Sequence, residues 1–169
     1  MRDLLTRSHF KKGNWRQLAD MLLKDNNCCK NEQEHYFVGL SLYKQGNHTD
    51  AQKHLIEAIK LKSKEGQNAL LALGHVNMDG NTDKAISYLV EASQMNYDLN
   101  LKDQAFLSLS NAYELKNNPT IAAKYAQRIP KDSKYYDIAI NTEIRMMYER
   151  KEYGKALKTL MSKENLNST

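Results

Sequence analysis

The sequence predicts an all-α protein built from consecutive antiparallel helix pairs. Three observations predict it: apolar residues recur at helical spacing, the same two-helix pattern occurs five times, and Gly or Asn lies between its two halves. The composition agrees, because 7 glycines and 2 prolines in 169 residues are too few for a turn-rich β-sandwich. With a mean hydropathy of −0.73, the sequence has no apolar run long enough to span a membrane. We expect a single domain over residues 1–169.

The two-helix pattern is clearest in the segment HYFVGLSLYKQGNHTDAQKHLIEAIKL, residues 35–61. Apolar side chains follow helical spacing on both sides of Gln45-Gly46-Asn47. Gly and Asn readily end a helix in the left-handed conformation, and Asn is also a favoured N-cap. The segment therefore predicts two helices joined by a short turn at Gly46.

Four further segments carry the same pattern, and each second helix has one small or apolar anchor residue. The anchors are separated by 33, 34, 37 and 34 residues, and we place the extra length in residues 94–103. Because two helices approach closely only where one presents little bulk, we expect Gly39 to face Ala51 and Gly74 to face Ala85. The last turn is expected at Glu152-Tyr153-Gly154. The five anchors are Leu18, Ala51, Ala85, Ala122 and Ala156.

This spacing, together with Gly39, Gly46, Ala51 and Ala58, resembles the tetratricopeptide repeat (TPR) family, whose helix–turn–helix unit has about 34 residues. The sequence departs from the family where Ser110 and Ile144 replace the first-helix glycine, and the first-helix tryptophan is missing from every unit. The resemblance implies an α–α superhelix, a right-handed solenoid of antiparallel helix pairs. Its units would be residues 1–27, 32–64, 67–97, 103–130 and 137–169.

The resemblance also implies a function, namely protein–protein interaction through a concave groove that the first helices line. The groove carries no cluster of lysines, so we expect a peptide or helix with an apolar face rather than a C-terminal carboxylate. The alternative is that its tyrosines only pack between units. The expected ligand-binding residues are Tyr36, Leu40, Tyr43, Leu71, His75, Met78, Leu107, Asn111, Glu114, Arg145 and Tyr148.

Catalytic and cofactor motifs are absent from the sequence. It has no phosphate-binding glycine loop, no G-x-S-x-G elbow and no H-E-x-x-H metal motif, so we expect neither an enzyme nor a cofactor. Cys28, Cys29 and His35 offer three soft ligands, whereas a zinc site normally takes four. We therefore expect no metal and two thiols in an inter-helix loop, as in a reducing compartment. We expect His48 in a loop and His54 on an exposed helix face.

The distribution of charge along the sequence favours a protein partner over nucleic acid. The net charge is +5, but residues 66–130 carry a net charge of −1. An RNA-binding helical-repeat protein is the alternative function, and it would need a basic groove studded with aromatic residues. Because the central units lack one, we expect a protein partner and no nucleic acid. Lys53 and Lys60 are expected on solvated outer faces.

The two termini carry the remaining expectations. Charges interrupt Met1-Arg2-Asp3-Leu4-Leu5-Thr6-Arg7, so we expect no secretory signal and a cytoplasmic protein. Apolar residues near both ends exceed what one neighbouring helix would cover, which predicts an isologous dimer through a terminal unit, a larger multi-subunit complex, or a longer array. The alternative is that Leu157 and Met161 fold back into the last hairpin. These terminal residues are Leu4, Leu5, Phe10, Tyr153, Ala156, Leu157, Leu160 and Met161.

Overall fold

The computed structural model describes residues 2–24 and 29–166, which form ten α-helices and no β-strand. Consecutive helices pack against each other as five pairs, which confirms the all-α prediction and is consistent with an α–α superhelix. The chain divides into two compact units, unit 1 (Met1–Asp98) with α1–α6 and unit 2 (Leu99–Thr169) with α7–α10. The helices are α1 (Arg2–Lys12), α2 (Trp15–Leu23), α3 (Glu32–Lys44), α4 (His48–Ala58), α5 (Lys64–Asn77), α6 (Thr82–Gln94), α7 (Leu99–Leu115), α8 (Pro119–Ala126), α9 (Tyr136–Glu149) and α10 (Tyr153–Leu166).

Most of the turns within the helix pairs use a left-handed residue. Gly13 and Gly46 have φ of 70° and 80°, and Asn117 has φ of 52°. This confirms the Gly46 turn, because these residue types enter the left-handed region at the least cost. In the last pair the prediction was wrong: Lys151 takes φ of 61° and makes the turn, whereas Gly154 lies within α10.

Asparagine and serine side chains cap the N-termini of α3, α4, α5, α6 and α8. The Asn47 side chain accepts the backbone N–H of Asp50 at 3.3 Å at the start of α4. Each such cap satisfies a donor that the first helical turn leaves unpaired. The other side-chain caps of this kind are those of Asn31, Ser63, Asn81 and Asn118.

The close approach of paired helices occurs at the two predicted glycines, but against different partners. A Cβ at Gly39 would lie 2.9 Å from Leu55 Cγ, and a Cβ at Gly74 would lie 2.5 Å from Leu89 Cδ2. The nearest neighbours are therefore leucines one turn beyond the expected Ala51 and Ala85. The pairing is shifted because leucine fills the space that the absent Cβ leaves. All five anchor residues are nevertheless buried.

Unit 2 achieves the same packing without a glycine. Ser110 is fully buried, and its hydroxyl donates to the carbonyl oxygen of Ala122 on α8 at 2.8 Å. A small side chain can replace glycine in a helix contact when its buried hydroxyl has a hydrogen-bond acceptor. The third and fourth repeats are separated by extra residues, and α7 takes up most of this extra length. Because α7 begins at Leu99, only four residues separate it from α6.

The N-terminal apolar residues differ in their surroundings. Phe10 is half-buried, and its ring lies 5.4 Å from Trp15 and 5.1 Å from Phe37 in edge-on contacts. It therefore belongs to the core of unit 1, whereas Leu4 and Leu5 are exposed as expected. Among the described residues, no helix combines the length and apolar character that crossing a membrane requires.

Candidate functional site

Within each unit, side chains of successive first helices meet at a regular sequence separation. In unit 1, Asn68 donates to the Tyr36 hydroxyl at 2.9 Å across 32 residues. The Tyr43 hydroxyl and His75 Nδ1 lie 3.3 Å apart, again across 32 residues. In unit 2, Arg145 pairs with Glu114 across 31 residues. Consecutive first helices therefore bring expected groove residues into direct contact, as stacked repeats of this length require.

The expected groove residues of unit 1 fall into two groups. Tyr36, Leu40 and Leu71 are only 4 %, 4 % and 1 % exposed, so in this conformation they pack inside the unit rather than face a ligand. The alternative interpretation, in which the tyrosines only pack between repeats, describes Tyr36 better. The half-buried members are Tyr43, His75 and Met78, which we call the unit 1 surface.

Burial keeps the ionisable groups of this surface uncharged. It lowers the pKa of His75, and the Lys44 ammonium lowers that pKa further. Burial also raises the pKa of Tyr43, and it raises that of Tyr36 to about 12. Near neutral pH these rings are therefore neutral, and the Lys44 ammonium, 5.4 Å above the Tyr43 ring, supplies positive charge.

The unit 2 surface consists of Leu107, Asn111, Glu114, Arg145 and Tyr148. Two guanidinium nitrogens of Arg145 donate to the two carboxylate oxygens of Glu114, one of them at 2.9 Å. This bidentate pair fixes α7 against α9 and leaves little net charge at the centre of the surface. Tyr148 is 64 % exposed, and an open depression of about 710 Å³ is lined by Asn111, Glu114 and residues nearby.

The predicted solvated lysines lie on the outer face of α4 and just after its last residue, Ala58. Lys53 pairs with Asp50 at 2.9 Å, and Lys60 pairs with Glu57. These carboxylates have lowered pKa values chiefly because the lysines hydrogen-bond to them. Both lysines are exposed and engaged within their own helical turn, as expected for a solvated face.

One cluster of side chains was not anticipated. His54 is half-buried rather than exposed, and its Nδ1 lies 3.1 Å from Nδ1 of His35 on α3. Cys29 Sγ lies 3.7 Å from the same nitrogen of His54. Sequence reasoning had grouped Cys29 with His35 and missed His54, because only the packing of α3 on α4 brings it there.

The cysteine prediction also needs correction. Cys29 is disulfide-bonded in the structure, so the expectation of two thiols was wrong. The chain's other cysteine, Cys28, lies outside the described residues. The disulfide removes the main argument from sequence for a reducing compartment.

The outer face of α10 is apolar and exposed. Tyr153, Leu157 and Met161 are each more than half exposed, and Leu160 is also exposed. Ala156 alone among the predicted residues of this helix is buried. Leu157 and Met161 thus do not fold back into the last hairpin.

Comparison with known proteins rests on structure. No protein-family model matches the sequence, and no curated protein does. The solved structure of PilF from Pseudomonas aeruginosa, a TPR protein, matches with a TM-score of 0.72 at 18 % identity, over 94 % of this chain and 72 % of PilF. The chain has a TPR fold. Helices packed in sequential pairs, Gly or Asn turns, and contacts across 31 or 32 residues are the features that this TPR fold explains.

Proposed function

We propose that this chain is a non-catalytic adaptor that binds a peptide or helix through the first helices of its repeats. The supporting observation is the pairing of exposed and half-buried groove residues from consecutive first helices, Tyr43 with His75 and Glu114 with Arg145. The pocket lined by His48 and Gln52 and the one lined by Asn111 and Glu114 are open depressions that would not enclose a small substrate. The cytoplasmic location stays a prediction from the sequence, and the disulfide at Cys29 does not support it.

The surface chemistry favours a partner with an apolar face. Glu114 and Arg145 neutralise each other, while Tyr148 and Leu115 are 64 % and 59 % exposed beside them. Tyrosine gives a large contact area at a small cost in ordering, which is why it recurs at the centre of interfaces. An amphipathic helix would place its apolar side on these residues and keep its polar side in water.

A peptide selection tests this proposal. Helical peptides selected from a displayed library on the immobilised chain should bind at moderate salt, since apolar contacts are not screened. Tyr148→Ala should weaken them by about 30-fold, equivalent to about 2 kcal/mol, while the melting temperature falls only slightly through loss of the ring contact with Tyr153. Fluorescence anisotropy of labelled peptides measures the affinity.

The matched control is Tyr97→Ala, since Tyr97 is 51 % exposed but lies outside both surfaces. It should leave peptide affinity within about twofold of the parent protein. Equal losses from the two variants would contradict the proposed surface. Tight binding of single-stranded RNA that falls steeply with salt, without peptide binding, would favour the RNA alternative.

We also propose self-association through the exposed face of α10, as an isologous dimer. Sedimentation velocity should show a concentration-dependent shift from the 19.5 kDa monomer towards the dimer. Leu157→Glu should abolish the shift, because a dimer interface would bury the new carboxylate without a partner. Lys158→Gln, at the exposed neighbouring position, is the control and should dimerise normally. A monomer at every concentration would contradict the proposal.

A further inference from the structure

Three side chains from separate parts of unit 1 converge beside α3 and α4. Cys29 precedes α3, His35 lies in the first turns of α3, and His54 lies on α4. Their ligand atoms all lie within 4.8 Å of one another, and all three residues are half-buried. The proposed adaptor function uses none of them.

The distances fit a tetrahedral metal. Zinc binds histidine nitrogen at about 2.0–2.1 Å and cysteine sulfur at about 2.3 Å, so tetrahedral angles place two nitrogens about 3.4 Å apart and nitrogen and sulfur about 3.6 Å apart. His35 Nδ1 and His54 Nδ1 lie 3.1 Å apart. Cys29 Sγ lies 3.7 Å from His54 Nδ1. These two separations are within a few tenths of an ångström of the tetrahedral values, and the third, between the ligand atoms of Cys29 and His35, is no more than 4.8 Å.

The close contact between the two imidazoles also suits a metal. Two Nδ1 atoms this close need a proton or a cation between their lone pairs. Around the pair, Asp50 favours positive charge at His54 while Lys53 opposes it, and Glu57 interacts with His35.

We propose that Cys29, His35 and His54 bind one Zn²⁺ ion when the disulfide at Cys29 is reduced, with water in the fourth position. A dithiol reductant supplies two electrons and two protons, the S–S bond breaks to two thiols, and the dithiol becomes a cyclic disulfide. Zinc binding then releases the Cys29 thiol proton to solvent, and the proton shared by the two Nδ1 atoms moves to Nε2 of the same ring or to solvent. Oxidation by a disulfide reverses these steps and expels the ion.

The site would join three parts of unit 1. An ion held by Cys29, His35 and His54 links the residues before α3 to α3 itself and to α4. Because such an ion binds only the folded arrangement, it stabilises the unit in proportion to its affinity. The redox state of Cys29 would thereby control the stability of the α3–α4 pair.

Cobalt titration tests the proposal directly. The full chain, without a histidine tag, is reduced with dithiothreitol, desalted under nitrogen and titrated with Co²⁺. We expect one equivalent to bind, with a thiolate-to-cobalt charge-transfer band and the visible bands of tetrahedral cobalt, and Zn²⁺ to displace it. The unreduced chain should give no charge-transfer band.

Three variants sharpen the test. Cys28→Ser removes the only other cysteine, so it should bind Co²⁺ without reductant and as tightly as the reduced parent protein. Loss of a residue that only supports a metal ligand weakens metal binding by up to about 100-fold. His54→Ala removes a ligand, so it should weaken Co²⁺ binding by more than that. His48→Ala, an exposed histidine at the start of α4, is the matched control and should bind normally.

Circular dichroism of each metal-free variant establishes that it is folded, so weak binding cannot be attributed to misfolding. Zn²⁺ should also raise the melting temperature of the reduced parent protein and not that of His54→Ala. The proposal is overturned if the reduced chain gives no one-to-one complex with a charge-transfer band. It is equally overturned if folded Cys28→Ser fails to bind, or if His54→Ala binds as tightly as His48→Ala.

Discussion

Replacing Gly66 by alanine should destabilise unit 1 by about 3 kcal/mol, the upper end for overpacking. The new Cβ would lie 1.9 Å from the carbonyl oxygen of Leu61 and 3.0 Å from its carbonyl carbon. Both are backbone atoms, so no side-chain rotation can relieve the clash. Leu61 is held by its own N–H, which donates to the Ala58 carbonyl at 3.1 Å at the end of α4. The connection between α4 and α5 would have to move.

Equilibrium urea denaturation followed by tryptophan fluorescence measures this effect, because the single tryptophan, Trp15, lies in unit 1. Gly80→Ala is the matched control, since a Cβ there would meet nothing within 4 Å. It should change the free energy of unfolding by less than about 0.5 kcal/mol. Equal stabilities of the two variants would mean that the backbone at Leu61 and Gly66 is looser than the structure describes.

The turns show how far the sequence predicts the fold. The turn at Gly46 could be predicted from the sequence because glycine enters the left-handed region freely. Lys151 could not, since a lysine with φ of 61° is strained and is tolerated only where the surrounding helices fix it. The helix contacts at Gly39 could be predicted, but not their partner, because Ala51 and Leu55 lie on the same face of α4.

The candidate sites could likewise be predicted only in part from the sequence. The 34-residue repeat predicts which helices line the groove. It did not predict the contact between Glu114 and Arg145, which are 31 residues apart. His54 lies next to the buried Leu55, at the edge of the apolar stripe of α4. Whether such an edge position is exposed or faces α3 depends on the crossing of the two helices, which periodicity does not specify. The cluster with His35 therefore appears only in three dimensions.

Gln67 joins α5 to the end of unit 1, and Gln67→Ala should cost about 3 kcal/mol of folding free energy. Its side chain is fully buried, and its Nε2 lies within 3.3 Å of the carbonyl oxygens of Ala92, Met95 and Asp98. Its Oε1 accepts the Asp98 N–H at 2.9 Å. Alanine would remove both the Nε2 donor and the Oε1 acceptor, and it would leave a cavity. The backbone polar groups at and after the end of α6 would then lose their hydrogen-bond partner.

Amide hydrogen exchange gives the sharper measurement, because protection of the Asp98 N–H depends directly on Gln67 Oε1. Gln67→Leu separates the two contributions, since it restores most of the volume without any hydrogen bond. It should remain destabilised by about 2 kcal/mol, the cost of the unpaired polar groups, and should exchange at Asp98 as fast as Gln67→Ala. The control is Gln94→Ala at the exposed end of α6, which should leave both stability and exchange unchanged. If Gln67→Leu were as stable as the parent protein, packing alone would hold residues 95–98, and the amide network would contribute only orientation.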